Sequence, residues 1–228
     1  MQKGIKFRIY PNKEQQNLIN QTLGCCRLIY NKGLAMRNEA YESGNKIGYA
    51  QTSAMLTELK KCEDFAFLKV VDSIALQQSL RDLDRGFVNF FQKRAAHPTF
   101  KSKHNRHQSY RTVNQGNNIR IAGKYIKLPK LGYTKIRQSM EVGKINNVTI
   151  KCTPAGKCFA VLNVEFEPQP RANNGGCIGI DVGIKDFYSD SNGKVASNPK
   201  YLEKSMRKLI REQRMLSRKQ KGSNNHNK

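Results

Sequence analysis

The chain has 228 residues, with 41 Lys+Arg against 17 Asp+Glu and a formal charge of +24. Such an excess repels itself in a folded state and normally exists to meet a polyanion, with nucleic acid the leading candidate. No stretch approaches the ~20 apolar residues of a membrane span, and the N-terminus turns polar too soon for a signal peptide. The expectation is a cytoplasmic, nucleoid-associated protein with no membrane partner.

Lys3 to Tyr10 alternates apolar and basic residues, with Ile5, Phe7 and Ile9 on one face and Lys6 and Arg8 on the other. That pattern predicts a half-buried strand with a basic outer surface. Pro11-Asn12 ends it, and Asn12 with Gln15 forms a capping box for a helix from about Lys13 to Ser43. Ile19, Leu23, Cys26, Tyr30, Leu34, Arg37 and Tyr41 recur at helical spacing as its inward stripe, and Gly44 is the stop. A second helix is expected over about Ala50 to Lys61, followed by an aromatic turn at 65–68. A third runs from about Ile74 to Ala96, capped by Asp72-Ser73, with Leu76, Leu80, Leu83, Phe87, Phe90 and Phe91 inward. These aromatics are read as core, with base stacking by Phe90 or Phe91 the minor alternative.

From Arg85 to Met140 there are thirteen Lys or Arg and no Asp or Glu. A solvated face normally mixes signs, so phosphate contact is the better account. The candidate nucleic-acid-binding residues are Lys6, Arg8, Lys93, Arg94, Lys101, Lys103, Arg106, Arg111, Lys127, Lys130, Arg218, Lys219 and Lys221. His97, His104 and His107 are read as polar contacts rather than metal ligands.

Short strands then follow. Ile119–Ile121 and Tyr125–Leu128 form a hairpin about Gly123, Thr134–Arg137 and Asn147–Lys151 are two more, and Lys157–Glu167 alternates Cys158, Ala160, Leu162, Val164 and Phe166 inward. With the N-terminal strand they suggest a small antiparallel barrel. The six cysteines form no C-x-x-C pair, so no zinc site is expected, and a disulfide framework is not expected either.

Residues 169–176 have the composition of a linker. Beyond them, Cys177–Phe187 has the apolar character of a buried strand, yet carries Asp181 at its centre between Gly179 and Gly183. A buried carboxylate needs a partner, and a metal ion is the best fit. Cys177–Val195 reads as two strands about Ser191-Asn192-Gly193, and Asn198-Pro199 as the cap of a last helix over about Lys200–Lys219. That helix holds Leu202, Met206, Leu209 and Leu216 on one side, expected to be poorly buried.

Laid out in order, several segments resemble the TnpB/OrfB proteins of insertion sequences, relatives of type V CRISPR effectors. They are Lys6-Phe7-Arg8-Ile9-Tyr10-Pro11, Gly24 to Asn31, Leu76 to Leu83, Pro98 to Lys103, Ile126 to Gly132, Gly179 to Phe187 and Leu216 to Gly222. The resemblance implies an α+β protein: a helical bundle inserted into a small antiparallel β-barrel (wedge-like), then an incomplete RNase H-like (RuvC) start. Residues 1–10 and 99–168 would be the wedge, 11–98 a helical recognition domain with a helix-turn-helix region, and 177–228 the nuclease start. Partners implied are a transposon-end-derived guide RNA and a double-stranded DNA target. Asp181 matches the family's first catalytic aspartate and would hold Mg2+, while the later Glu, Asp and zinc ribbon fall outside this sequence. The expectation is therefore a C-terminally truncated, cleavage-deficient nucleic-acid-binding protein. The alternatives are an active RNA-guided endonuclease once the missing half is supplied and, remotely, an actin-like-fold phosphotransferase suggested by Ile180-Asp181-Val182-Gly183.

Overall fold

The computed structural model describes residues 1–105, 108–168 and 175–227, and the chain divides into two units, Met1–Pro168 and Gln169–Lys228.

In the first unit, strand β1 (Gln2–Tyr10) buries Phe7 and Ile9 and turns Lys6 and Arg8 outward, as the alternation predicts. Asn12 then caps α1 (Lys13–Glu42): its Oδ1 accepts from the Gln15 amide at 2.8 Å, and Gln15 Oε1 accepts from the Asn12 amide at 3.1 Å. Ile19, Leu23, Cys26, Tyr30 and Leu34 are buried. The stripe ends there, because Arg37 pairs with Asp84 at 3.0 Å and Tyr41 is 76% exposed. After α1 come α2 (Tyr49–Leu59), a 3-10 helix (Glu63–Lys69) and α3 (Ser73–Phe91), whose start is capped by Asp72 accepting from the Ile74 amide. Gly33 lets α1 approach α3, since a Cβ there would lie 2.9 Å from Leu80 Cδ2 and 3.1 Å from Leu83 Cδ2.

α3 stops five residues short of Ala96. Lys93 takes a left-handed φ of 57°, its amide donates to the Phe90 carbonyl, and the Arg94 amide donates to the Asn89 carbonyl. That double bond pattern is a Schellman termination, with lysine where glycine is usual. Phe87 is buried and Phe90 half-buried, but Phe91 is 71% exposed, so the reading of all three as core is corrected.

The remaining strands of this unit are β2 (Gln108–Val113), β3 (Arg120–Ala122), β4 (Tyr125–Leu128), β5 (Gly132–Arg137), β6 (Ile145–Cys152) and β7 (Cys158–Glu165). They form one antiparallel sheet in the order β2-β6-β7-β1-β5-β4-β3. β1 sits centrally, paired with β7 from Gln2 to Ile9 but with β5 only over Arg8 to Tyr10, so the strands fan apart past it. The expected barrel is thus a curled, open half-barrel, in which β2 and β3 are the ends of the sheet rather than neighbours. Its inner face shares one core with the helices, in which Phe7, Ile136, Val148, Ile150, Ala160 and Leu162 meet Ile19, Leu23 and Leu76. Phe166 lies beyond β7 and is exposed. The cysteine expectation is also corrected: Cys152 and Cys158 face each other across the β6–β7 register and form a disulfide.

The second unit holds β8 (Ile180–Asp181), β9 (Asp186–Asp190) and β10 (Val195–Ser197), three antiparallel strands in the order β10-β9-β8 where two were expected. The turn at 191–193 forms as predicted, with Gly193 at φ 79°. α4 (Tyr201–Ser217) starts one residue after Lys200, not at Asn198-Pro199. Asn198 is turned to its own neighbourhood, donating to the Ile184 carbonyl at 2.9 Å and accepting from the Lys200 amide at 3.0 Å. Leu209 and Leu216 are 50% and 43% exposed, as expected, and α5 (Asn224–Asn227) is a single turn. Among the described residues no helix is long and apolar enough to cross a membrane.

Candidate nucleic-acid interface

The cross-strand register turns a linear scatter of cations into one surface. Because side chains alternate across a strand, the residues next to each core position face outward. Arg8 on β1 is directly opposite both Arg137 on β5 and Phe159 on β7, and Phe159 is opposite Lys151 on β6. Lys135 on β5 is opposite Tyr10 on β1 and Tyr125 on β4. Lys127 on β4 is opposite Tyr133 on β5 and Arg120 on β3. Each of these three rows therefore mixes cations with aromatic rings. The only outward carboxylate of these strands is Glu165 at the end of β7, which pairs with Lys144 at 3.3 Å.

The rings lie beside the charges. Lys6 Nζ sits 4.3 Å from the centroid of Phe159, and the Arg8 guanidinium 5.5 Å from Phe159 and 5.3 Å from Tyr10. These cation–π contacts fix the long side chains without neutralising them. Arg120 donates to the Tyr133 hydroxyl at 3.1 Å, and that bond and the adjacent positive charge hold the Tyr133 phenol below its usual pKa. Arg8 Nε is buried with no hydrogen-bond partner. Like charges directly opposite each other in a sheet are destabilising, so the Arg8–Arg137 pair favours an anionic ligand at the sheet surface.

The predicted cations fall into separate groups. Lys6, Arg8 and Lys127 belong to the sheet face, and Lys130 projects from the β4–β5 turn at φ 62°. Lys101 and Arg111 instead line a cavity of about 140 Å³ with Arg27, Asp82 and Tyr110. There Asn31 clamps the Lys101 backbone in both directions, at 3.0 and 2.9 Å, and the Lys101 amine lies 3.9 Å over the Tyr30 ring. Burial pushes the Lys101 pKa down, with Asp82 and the Cys26 thiol pulling the other way. Arg111 is bonded to Asp82 at 2.5 Å, so it is held by an ion pair rather than presented to solvent. Lys103 is exposed beside this cavity, and Lys93 and Arg94 are exposed just past the end of α3. Arg106 lies outside the described residues, as does His107. In the second unit Arg218, Lys219 and Lys221 are exposed after α4. Sequence reasoning missed Arg120, Lys135, Arg137 and Lys151, together with the rings of Tyr10, Tyr125, Tyr133 and Phe159. Each sits next to a buried alternating residue, and that was the signal available.

Asp181 is exposed at the end of β8, paired with Ser189, and its neighbours Ile180 and Val182 are 59% and 72% exposed. The expectation of a buried strand with a stranded carboxylate is therefore corrected. Gly183 is needed locally, because a Cβ there would stand 3.2 Å from the Asp186 carbonyl. Asp190 Oδ1 is committed to its own turn, accepting from the Asn192 and Lys194 amides at 2.9 and 2.8 Å. Among the described residues no group of three or more His, Cys, Asp or Glu is arranged to hold a metal ion.

Comparison with known proteins gives the family of the chain. A helix-turn-helix domain model of the OrfB/IS605 type matches residues 1–46, and an OrfB/IS605 model described as “Probable transposase” matches residues 161–228. The chain is 37% identical over 227 residues to the Escherichia coli (strain K12) “Putative RNA-guided DNA endonuclease InsQ”, covering 98% of this chain and 56% of that protein. It is 36% identical over 233 residues to the Streptomyces pristinaespiralis “Putative RNA-guided DNA endonuclease”, covering 100% of this chain and 58% of that protein. “Virulence protein VsdF” of Salmonella dublin is 35% identical over 117 residues, 46% of this chain and 96% of that one. The chain thus spans a little over half the length of the first two relatives. With matching models at both ends and these relatives along its length, it belongs to the TnpB/OrfB family of insertion-sequence transposases.

Proposed function

We propose that this chain binds the nucleic acids of an RNA-guided, transposon-encoded system, with the outward face of the half-barrel as its main contact surface. The observation that carries the reading is the Arg137–Arg8–Phe159–Lys151 row, where two guanidinium groups oppose each other beside a ring and a further cation. Phosphates would neutralise the cations and bases would stack on the rings. On this reading residues 1–10 and 99–168 act as a wedge domain and 11–98 as a recognition domain. Residues 169–176 link them to 177–228, the start of a RuvC-like nuclease domain. The partners are a transposon-end-derived guide RNA and a double-stranded DNA target.

Cleavage is not assigned to this chain alone. A two-metal site needs several acidic oxygens around ions ~3.5–4 Å apart. Here Asp181 is exposed and Asp190 is spent on its turn, so the carboxylates of this unit do not fit a pair of Mg2+ ions. The names of the two longer relatives favour a second reading, in which Asp181 is the first ligand of a site completed by further residues.

The test is binding of structured RNA and of duplex DNA across a salt series. With six to ten phosphate contacts, affinity falls roughly 10³–10⁵-fold between 50 and 200 mM salt. Arg8→Ala with Arg137→Ala lowers the salt slope by about one per lost contact. Salt-insensitive binding overturns the reading. Incubation of the chain with guide RNA, target DNA and Mg2+ yields no cut, whereas cleavage that appears only when the remaining part of a longer relative is added, and that Asp181→Ala abolishes, establishes the second reading.

A further inference from the structure

The end of α3 holds an aromatic surface that neither the core nor the sheet face explains. Phe87, buried, and Phe91, 71% exposed, stack with their centroids 6.3 Å apart and planes 28° from parallel. Phe90 tilts against Phe91 at 5.4 Å. The chain then doubles back. His97 sets its edge against Phe87 at 5.3 Å and Phe90 at 5.1 Å, and Pro98 comes close enough to Gly86 that a Cβ there would meet it at 3.4 Å. The ring of Phe91 is thus supported from behind and open in front.

The reversal is made by Lys93 at φ 57°. A non-glycine residue in that conformation is strained, and glycine would make the same Schellman turn without that strain. The lysine instead places two exposed cations, Lys93 and Arg94, next to the exposed ring. No acidic residue occurs from Arg85 to Met140 to neutralise them.

We infer that Phe91, backed by Phe87, Phe90 and His97 and flanked by Lys93 and Arg94, is a stacking site for an unpaired nucleobase of a bound nucleic-acid strand. The base extends the Phe87–Phe91 stack, and the two cations meet its flanking phosphates. A base stacks on an aromatic ring whatever its identity, so the site grips a strand without reading its sequence. A duplex, whose bases already stack on one another, does not use it. This inference rests on the nucleic-acid reading of the previous section.

The test measures binding of the full chain to a single-stranded oligonucleotide carrying 2-aminopurine, and to its duplex, by fluorescence and by affinity. Phe91→Ala weakens single-strand binding by about 5- to 150-fold, abolishes the 2-aminopurine quenching, and leaves duplex affinity and thermal stability unchanged. Phe91→Tyr retains binding. Lys93→Gly, which relieves the left-handed strain, leaves the fold as stable or more so yet weakens single-strand binding. Unchanged single-strand affinity for Phe91→Ala overturns the stacking site while leaving the sheet face standing. Absence of any salt-dependent binding by the wild-type chain overturns both. Conversion of a wild-type dimer into a monomer by Phe91→Ala identifies a second copy of the chain as the occupant and also overturns it.

Discussion

Two regions of one chain use secondary structure in opposite ways. In residues 1–168, helices and sheet share a core from Phe7 to Val164, and the elements are held by contacts distant in sequence. In the described residues of 175–227 no side chain is buried, although three strands and a 17-residue helix form. The second region is organised by local hydrogen bonds: Gly193 and Lys194 to Asp190, Lys200 to Asn198, Ser191 to Gly179. Local bonds set a shape, but most of the stability of a fold comes from apolar burial. The comparison teaches that the first region carries its own stability, while the second presents apolar and basic side chains outward.

The largest test removes one apolar side chain from each region. Phe7→Ala deletes a side chain that is 1% exposed and should cost about 3–5 kcal/mol in a urea unfolding curve. Leu209→Ala, at 50% exposure, should move that curve by no more than about 0.5 kcal/mol. Equal losses would break the distinction between the two regions.

Much of the first region was legible because period and punctuation coincide there. The alternation of β1, the Asn12–Gln15 box and the Ile19-to-Leu34 stripe each need only neighbours in sequence to be read. β2 was not legible: in Gln-Ser-Tyr-Arg-Thr-Val only Tyr110 and Thr112 face the core, and its strand character comes from pairing with β6. The end of α3 was missed because helical periodicity runs on through Phe90 and Phe91, and nothing in a lysine announces a left-handed turn. The Cys152–Cys158 bond follows from a register that six residues of separation cannot specify. For the interface, charge excess pointed to a polyanion, but the rows of cations and rings exist only once the strand order is known. The opposite error occurred at Asp181, where an apolar run suggested burial that the short β8 does not provide.

A pair of glycine substitutions sharpens the comparison at intermediate size. Gly33→Ala drives a methyl against Leu80 and Leu83 at the α1–α3 contact, and should cost about 1–3 kcal/mol of global stability. Gly183→Ala meets the Asp186 carbonyl at 3.2 Å, a somewhat looser contact but with backbone rather than a flexible side chain. Its effect should show only as faster amide exchange in the β8–β9 hairpin, because no cooperative core transmits it. A global destabilisation by Gly183→Ala would show that the hairpin contributes to the main fold.

The smallest effect near neutrality lies in the pH dependence, and it too separates the regions. Burial raises the Cys26 thiol from 9.0 to about 12 and also raises Cys25, Tyr30 and Tyr110, all in the first region, whereas Cys177 in the second is exposed. These groups stay protonated in the fold at a pH where the unfolded chain loses their protons. Their contribution is therefore complete below pH 9.0 and is lost as pH rises; for Cys26 the loss runs from 9.0 to about 12. Lys101 acts in reverse. Its pKa is lowered by burial, so approaching 10.5 the unfolded chain binds more protons and the fold gains stability with pH. Lys60, lowered by burial, and Tyr133, lowered by the Arg120 bond, act with Lys101, but the two most strongly shifted groups, Cys26 and Tyr110, act the other way and give a net fall in the urea midpoint of residues 1–168 above pH 9. Cys26→Ala should flatten that fall and Lys101→Met should steepen it, while the exchange rates of the β8–β9 amides, corrected for intrinsic pH dependence, should not follow it. If the Cys26→Ala and wild-type curves stay parallel through that range, the Cys26 thiol is not shielded by the core.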